Sequence, residues 1–217
     1  MGWLKLKEYG LKEAYIRKLM KEFGAYSDMF IASNFNLFSD KFKSTLEKVD
    51  KVDVSRILET HNKSSVRIIS AKDNEYPSDI KKLVDFPTFL YVKGNEMHRE
   101  RKIAVVGTRK VTKFGKASCE KIVKDLLEYD ITIVSGLAEG IDTIALNIAV
   151  QKNNNPIAIV GTGLDIVYPF ENREIWEKIG REGTIISEYP LGTSAQKWNF
   201  PKRNRLIAAI SNGVLVA

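Results

Sequence analysis

From Ile103 to the end of the chain, short β-branched and aliphatic runs alternate with amphipathic stretches of helical period. Ile103–Val106, Ile131–Val134, Ile157–Val160, Thr184–Ile186 and Val214–Val216 read as strands. Between them Gly115–Tyr129, Glu139–Gln151, Asn172–Arg181 and Arg205–Ile210 read as helices. Apolar strands this short, with no polar alternation, must be buried on both faces, and the intervening helices supply the cover. The pattern predicts an α/β fold with a Rossmann-like, doubly wound, mostly parallel sheet. Val66–Ser70 and Thr88–Lys93 add two short strands ahead of it, separated by a Tyr-Pro turn and a short helix from about Ser78.

The first part of the chain has a different texture. Leu11, Tyr15, Leu19 and Phe23 recur every fourth position, with Gly24 where a helix C-cap would stand. Further helical patterns cover Asp40–Val49 and Val54–Thr60. A small all-helical domain over 1–63 is therefore expected before a Rossmann-like domain over 64–217, with the polar Asn62–Ser65 as the boundary. Its 12 basic and 9 acidic residues suit a packing or protein-contact module better than a nucleic-acid reader.

In a sheet of this kind ligands bind at the carboxyl ends of the strands. Three glycine-bearing loops fall there: Gly107-Thr108-Arg109 after one strand, Ser135-Gly136 running on to Asp142, and Gly161-Thr162-Gly163 running on to Pro169. Glycine after a strand lets backbone N–H groups approach an anion, and the next helix adds its positive end. Each glycine alone would equally make a tight turn; three at one edge favour an anion-binding rim. None is a nucleotide fingerprint. No G-x-G-x-x-G opens a helix after a strand, and no G-x-x-x-x-G-K-[ST] occurs, which disfavours dinucleotides and triphosphates.

Charge narrows the ligand further. The chain carries a net charge of +7, and the surplus is clustered. Arg109, Lys110, Lys113 and Lys116 lie in a stretch with no acidic residue between Arg101 and Ser118. Lys197, Lys202, Arg203 and Arg205 share a short segment with Trp198 and Phe200, and no acidic residue follows Pro190. Cations meet phosphates, and flat rings stack on the unpaired bases of single strands. Core packing is the competing reading for the two rings, and a solvated surface for the cations. One cysteine, Cys119, rules out an internal disulfide, and two histidines, His61 and His98, leave little for metal binding. No stretch has signal-peptide or membrane-spanning length, so a soluble, cytoplasmic protein without membrane contact is expected.

Taken in order, Val106-Gly-Thr-Arg109, Ser135-Gly-Leu-Ala-Glu-Gly-Ile-Asp142, Gly161-Thr-Gly-Leu-Asp-Ile-Val-Tyr-Pro169 with Asn172, Ser187-Glu-Tyr-Pro190 and Phe200-Pro-Lys-Arg-Asn-Arg205 resemble the DprA/Smf family, DNA-processing protein A. Asn74-Glu-Tyr-Pro77 and Pro87-Thr-Phe-Leu-Tyr-Val-Lys-Gly94 resemble that family's lead-in, so the likeness covers about 64–217. It implies a bacterial protein that binds single-stranded DNA, helps load the RecA recombinase during natural transformation, forms a homodimer and has no known catalysis. By motif match the DNA pocket includes Arg109, Ser135, Gly136, Gly161, Thr162, Gly163, Lys202, Arg203, Asn204 and Arg205. Gly107, Thr108, Lys113, Asn172, Trp198 and Phe200 complete the candidate DNA-binding set. No catalytic residue, metal or cofactor is expected. In the family this domain continues past a strand like Val214–Val216, so it reads as incomplete at its C-terminal end. The part linked to dimerisation lies beyond that strand.

Asp142, Asp165 and Glu188 lie near the same edge and admit a rival reading, a nucleotide N-glycosidase with a carboxylate acid/base pair. Caps and ion pairs with the loop arginines are the expected roles instead. The Pro-Gly-Gly-x-Gly-Thr motif of cytokinin-activating N-glycosidase relatives is absent. A sensor that binds a small nucleotide without cleaving it is the third reading.

Overall fold

A computed structural model describes residues 2–97 and 101–217; His98 lies outside them. Among the described residues five α-helices come first, α1 (Gly2–Glu8), α2 (Glu13–Glu22), α3 (Ala32–Phe35), α4 (Asp40–Asp50) and α5 (Ser55–Lys63), with a 3-10 turn at Tyr26–Phe30 between α2 and α3. Then follow β1 (Val66–Ser70), α6 (Ser78–Lys81), β2 (Phe89–Gly94), β3 (Arg101–Val106), α7 (Lys113–Leu127), β4 (Ile131–Ser135), α8 (Ile141–Gln151) and β5 (Ile157–Val160). The chain continues through α9 (Arg173–Glu182), β6 (Thr184–Ser187), α10 (Asn199–Ile210) and β7 (Gly213–Val216). No helix among the described residues is long and apolar enough to cross a membrane.

The seven strands form one sheet in the order β1-β2-β6-β5-β4-β3-β7. Neighbours from β6 to β7 are parallel, while β1–β2 and β2–β6 are antiparallel. Successive strand residues alternate between two cores. Ala104, Val134, Ile157, Ile159 and Ile186 pack with Leu206, Ile207 and Ile210 of α10. Their neighbours Val105 and Ile133 pack under Cys119, Val123, Ala145 and Ala149 of α7 and α8. Ala158, Val160 and Ile185 meet Leu146 of α8 and Trp176 and Ile179 of α9. Each such burial contributes roughly 1.5–3 kcal/mol for a large apolar side chain. This two-sided cover explains the unbroken apolar strands.

The order of the strands decides where a ligand can sit. From β3 the parallel strands are laid down one way to β6, and the chain then crosses back to place β7 on the other side of β3. α7, which leaves β3, and α10, which leads from β6 into β7, lie on opposite faces of the sheet, so the chain switches face at β3, the place where sheets of this kind take ligands at the carboxyl ends of their strands.

Several boundaries differ from the sequence pattern. The buried side of α2 is Ile16, Leu19 and Met20, continued by Phe23, while Tyr15 is 39% exposed against Phe42. That helix ends at an extended Phe23, so Gly24 does not supply a left-handed cap. α8 starts at Ile141, because Gly140 takes φ +82° and turns the chain first. α10 starts at Asn199, not Arg205. Pro201 falls in its first turn, where no N–H donor is needed.

The first helices pack on the β1–β2 side. Trp3, Leu4, Leu6, Ile16 and Leu19 share a core with Phe86, Phe89 and Leu90. Glu13 Oε2 accepts from Thr88 N (3.1 Å) and Thr88 Oγ1 (2.7 Å), and Arg17 Nη1 donates to Phe86 O (3.1 Å).

Candidate nucleic-acid interface

The loops leaving β3, β4 and β5 are held against one another by backbone contacts that only small residues permit. A side chain on Gly107 would strike Ile141 and the carbonyl of Ala217. Gly140, at φ +82°, presents its Cα to the Thr108 carbonyl and the Arg109 backbone. Next to it, Ile141 N donates to Thr108 O (3.2 Å), tying the first loop to the second. The third loop is closed by Gly163 N donating to Thr193 O and by Gly192 N donating to Asp165, both at 2.9 Å.

Beneath these loops lies a buried polar floor. Arg203, 3% exposed, donates from Nη1 to Gly136 O (2.6 Å) and to Ile159 O. Asp142, also buried, accepts at Oδ2 from Gly136 N (3.1 Å) and Ala138 N (3.4 Å). Burial pushes the Asp142 carboxyl above its usual range against the pull of Arg203 and these N–H groups. Burial likewise lowers Arg203 to about 10, opposed by the Asp142 charge, and it stays protonated at neutral pH. Ser135 donates to Val105 O (2.6 Å), Thr162 to Ile166 O (2.9 Å), and Asn172 to Leu137 O (2.9 Å) and Thr143 (2.8 Å). Ser135, Gly136, Gly161, Thr162, Gly163, Asn172 and Arg203 thus shape the floor from within.

Above the floor opens a cavity of about 640 Å³ between the β3 loop, α10 and Val214. That volume is typical of a small-ligand or nucleotide site. Its walls carry Arg109, Lys197, Asn204, Tyr168 and Phe200. Tyr168 and Phe200 set their rings 5.3 Å apart at 34°. A narrower recess continues beside Gly136 and Gly161 under the same two rings.

Arg109 is exposed and pairs with no carboxylate among the described residues. Asp142 and Asp165 hold backbone N–H groups, and Glu188 holds Arg205 (2.7 Å) and Lys202 (3.3 Å). Arg205 is further tied to Asp85 at 2.9 Å, which leaves it turned from the cavity. Trp198 is 69% exposed rather than core-packed, and Lys113 and Lys202 are exposed outside the cavity wall. Thr108 hydrogen-bonds within its own loop, to Lys110 O and N. Tyr168 and Lys197 were not among the residues expected in the site. Tyr168 sits in an aperiodic loop, and only its meeting with Phe200 gives it a role. Among the described residues no cluster of His, Cys, Asp and Glu can hold a metal.

Comparison with known proteins gives one consistent family. A family model described as DNA recombination-mediator protein A matches residues 67–217. Protein Smf of Synechocystis sp. is 40% identical over 166 residues, 74% of this chain and 42% of that protein. DNA processing protein DprA of Streptococcus pneumoniae is 35% identical over 223 residues, 98% of this chain and 76% of that protein. An X-ray structure of the Streptococcus pneumoniae protein superposes with a TM-score of 0.78 at 33% identity, covering 100% of this chain and 77% of that one. DNA processing protein A from Helicobacter pylori, described with a single-stranded DNA binding mode, gives a TM-score of 0.62 at 31% identity. That match covers 70% of this chain and 68% of the other.

Proposed function

This chain belongs to the DNA recombination-mediator protein A family, and we propose that it grips single-stranded DNA in the crevice at the carboxyl end of β3. The observation that carries the reading is Arg109, an exposed guanidinium without a carboxylate partner among the described residues, at the rim of the 640 Å³ cavity. Its planar fork suits two phosphate oxygens. Beside it, Tyr168 and Phe200 offer ring faces to an unstacked base, and Lys197 adds a second cation. Trp198 and Lys202 continue the same surface outside the cavity.

Roles divide between residues that face the strand and residues that hold the loops. Arg109, Lys113, Trp198, Phe200, Lys202 and Asn204 meet the strand, while Gly107, Thr108, Ser135, Gly136, Gly161, Thr162, Gly163, Asn172 and Arg203 hold the loops that present them. Arg205 anchors α10 through Glu188 and Asp85. With Asp142, Asp165 and Glu188 engaged in this scaffold, the site favours binding over acid/base chemistry. We place the boundary between a helical domain over 1–63 and the Rossmann-like domain over 64–217; neither cavity is lined by the helical segment, so the grip on DNA is assigned to the Rossmann-like part. The held strand is handed to the RecA recombinase during recombination, in keeping with the mediator description of the family.

A titration of oligo-dT against duplex of equal length tests the reading. Single strands should bind more tightly, with a salt slope of about −0.7 per phosphate contacted. Preference for duplex, salt-insensitive binding, or one-to-one capture or cleavage of a nucleoside monophosphate that excludes DNA would replace it.

A further inference from the structure

Phe114 stands in the first turn of α7 and is 82% exposed. A single exposed ring is ordinary on a protein surface. This one is set among charges. Lys110, Lys113 and Lys116 around it are exposed. Lys110 and Lys113 form no ion pair among the described residues, and Lys116 reaches only Glu120, at 3.8 Å. No acidic residue occurs in sequence from Arg101 to Ser118. The segment runs on directly from Arg109, which lines the cavity. Lys197, Lys202 and the 69% exposed Trp198 combine ring and cations in the same way at the start of α10.

We infer that Phe114 is a second base-stacking platform, with Lys110 and Lys113 on the flanking phosphates, so that a bound single strand continues out of the crevice across the start of α7. The inference rests on the single-strand reading above and adds a segment that the cavity does not include. Charge chooses the occupant. A self-complementary contact between two copies would set the Lys110–Lys116 cluster near its own equivalent, like charge facing like. A polyanion with free base faces meets both features at once, whereas in duplex DNA the faces are already stacked.

The test compares the full chain with Phe114→Ala and Phe114→Tyr on oligo-dT near the two ends of the range of about 4–16 nucleotides that single-strand-binding folds cover. Phe114→Ala should weaken the longer oligonucleotide by about 5- to 140-fold, one base–aromatic stack, and leave the shorter one unchanged. Phe114→Tyr should restore the loss, and melting temperature should not move because the ring is exposed. Undiminished affinity for the longer strand overturns the inference, as does equal loss at both lengths, which would place Phe114 inside the crevice. Loss of self-association by light scattering with DNA affinity unchanged overturns it in favour of a second copy. Wild-type chain that binds neither length removes the single-strand reading itself, and this inference with it.

Discussion

Arg203 and Asp142 flank the Cα of Gly136 so closely that a methyl group there would lie 2.5 Å from Arg203 Nη2 and 2.7 Å from Asp142 Oδ2. A loop from β4, the first turn of α8 and the middle of α10 thus meet at a point with no room for a side chain. Two consequences follow for variants. Arg203→Ala leaves the Gly136 and Ile159 carbonyls without their donor and the buried Asp142 without its cation, and should cost about 3–5 kcal/mol in urea unfolding. Gly136→Ala should also destabilise, by forcing the two charged groups apart. Wild-type stability with selective loss of DNA affinity in Arg203→Ala would instead place that guanidinium on the ligand.

The aromatic pair should behave in the opposite way. Tyr168 is 46% exposed, so its removal leaves little cavity in the core. Tyr168→Ala should lower oligo-dT affinity by about 1–3 kcal/mol, the range for one base–aromatic stack, with melting temperature nearly unchanged. Tyr168→Phe should bind like wild type, since the ring and not the hydroxyl is used. Fluorescence anisotropy on the three proteins reads the difference.

Docking of the first helices should respond to acid. Burial opposes ionisation of Glu13, but the Lys7 charge and the Thr88 hydrogen bonds outweigh it and hold the carboxyl below its ordinary 4.5. A carboxyl lowered by folding contributes stability above its unfolded value and loses that contribution as pH falls through the folded one. Wild type should therefore be more stable than Glu13→Gln at neutral pH, with the gap closing as pH drops below 4.5. Chemical denaturation across that range measures it. A gap independent of pH would mean that the ionised carboxylate contributes nothing.

The parts of this molecule that were legible in its sequence are those governed by local burial. The runs Ile157–Val160 and Ile131–Val134 announced strands covered on both faces, and each is now seen packed between two cores. The start of α10 was hidden because Pro201 reads as a break unless its place in the first turn is known. Arg109 and Arg203 look alike as cations beside glycine loops. Only tertiary contacts make one exposed and the other 3% exposed, because the carbonyls that Arg203 reaches lie in the loop after β4 and in β5, and the charge that favours it lies at the start of α8. Tyr168 was silent for the same reason: its neighbour Phe200 is distant along the chain. Proline positions, long-range ion pairs and ring pairs across loops carry no period to read.

The most direct test of the account is Arg109→Ala, with oligo-dT affinity and melting temperature measured on one preparation. Arg109 has no carboxylate partner to lose among the described residues, so the fold should be untouched. Affinity should fall by about 1.5–3 kcal/mol, the range for a charge-assisted hydrogen bond, and Arg109→Lys should recover only part because a point charge cannot fork onto a phosphate. Undiminished affinity in Arg109→Ala, whether or not its melting temperature drops, would contradict a phosphate-binding crevice at the end of β3.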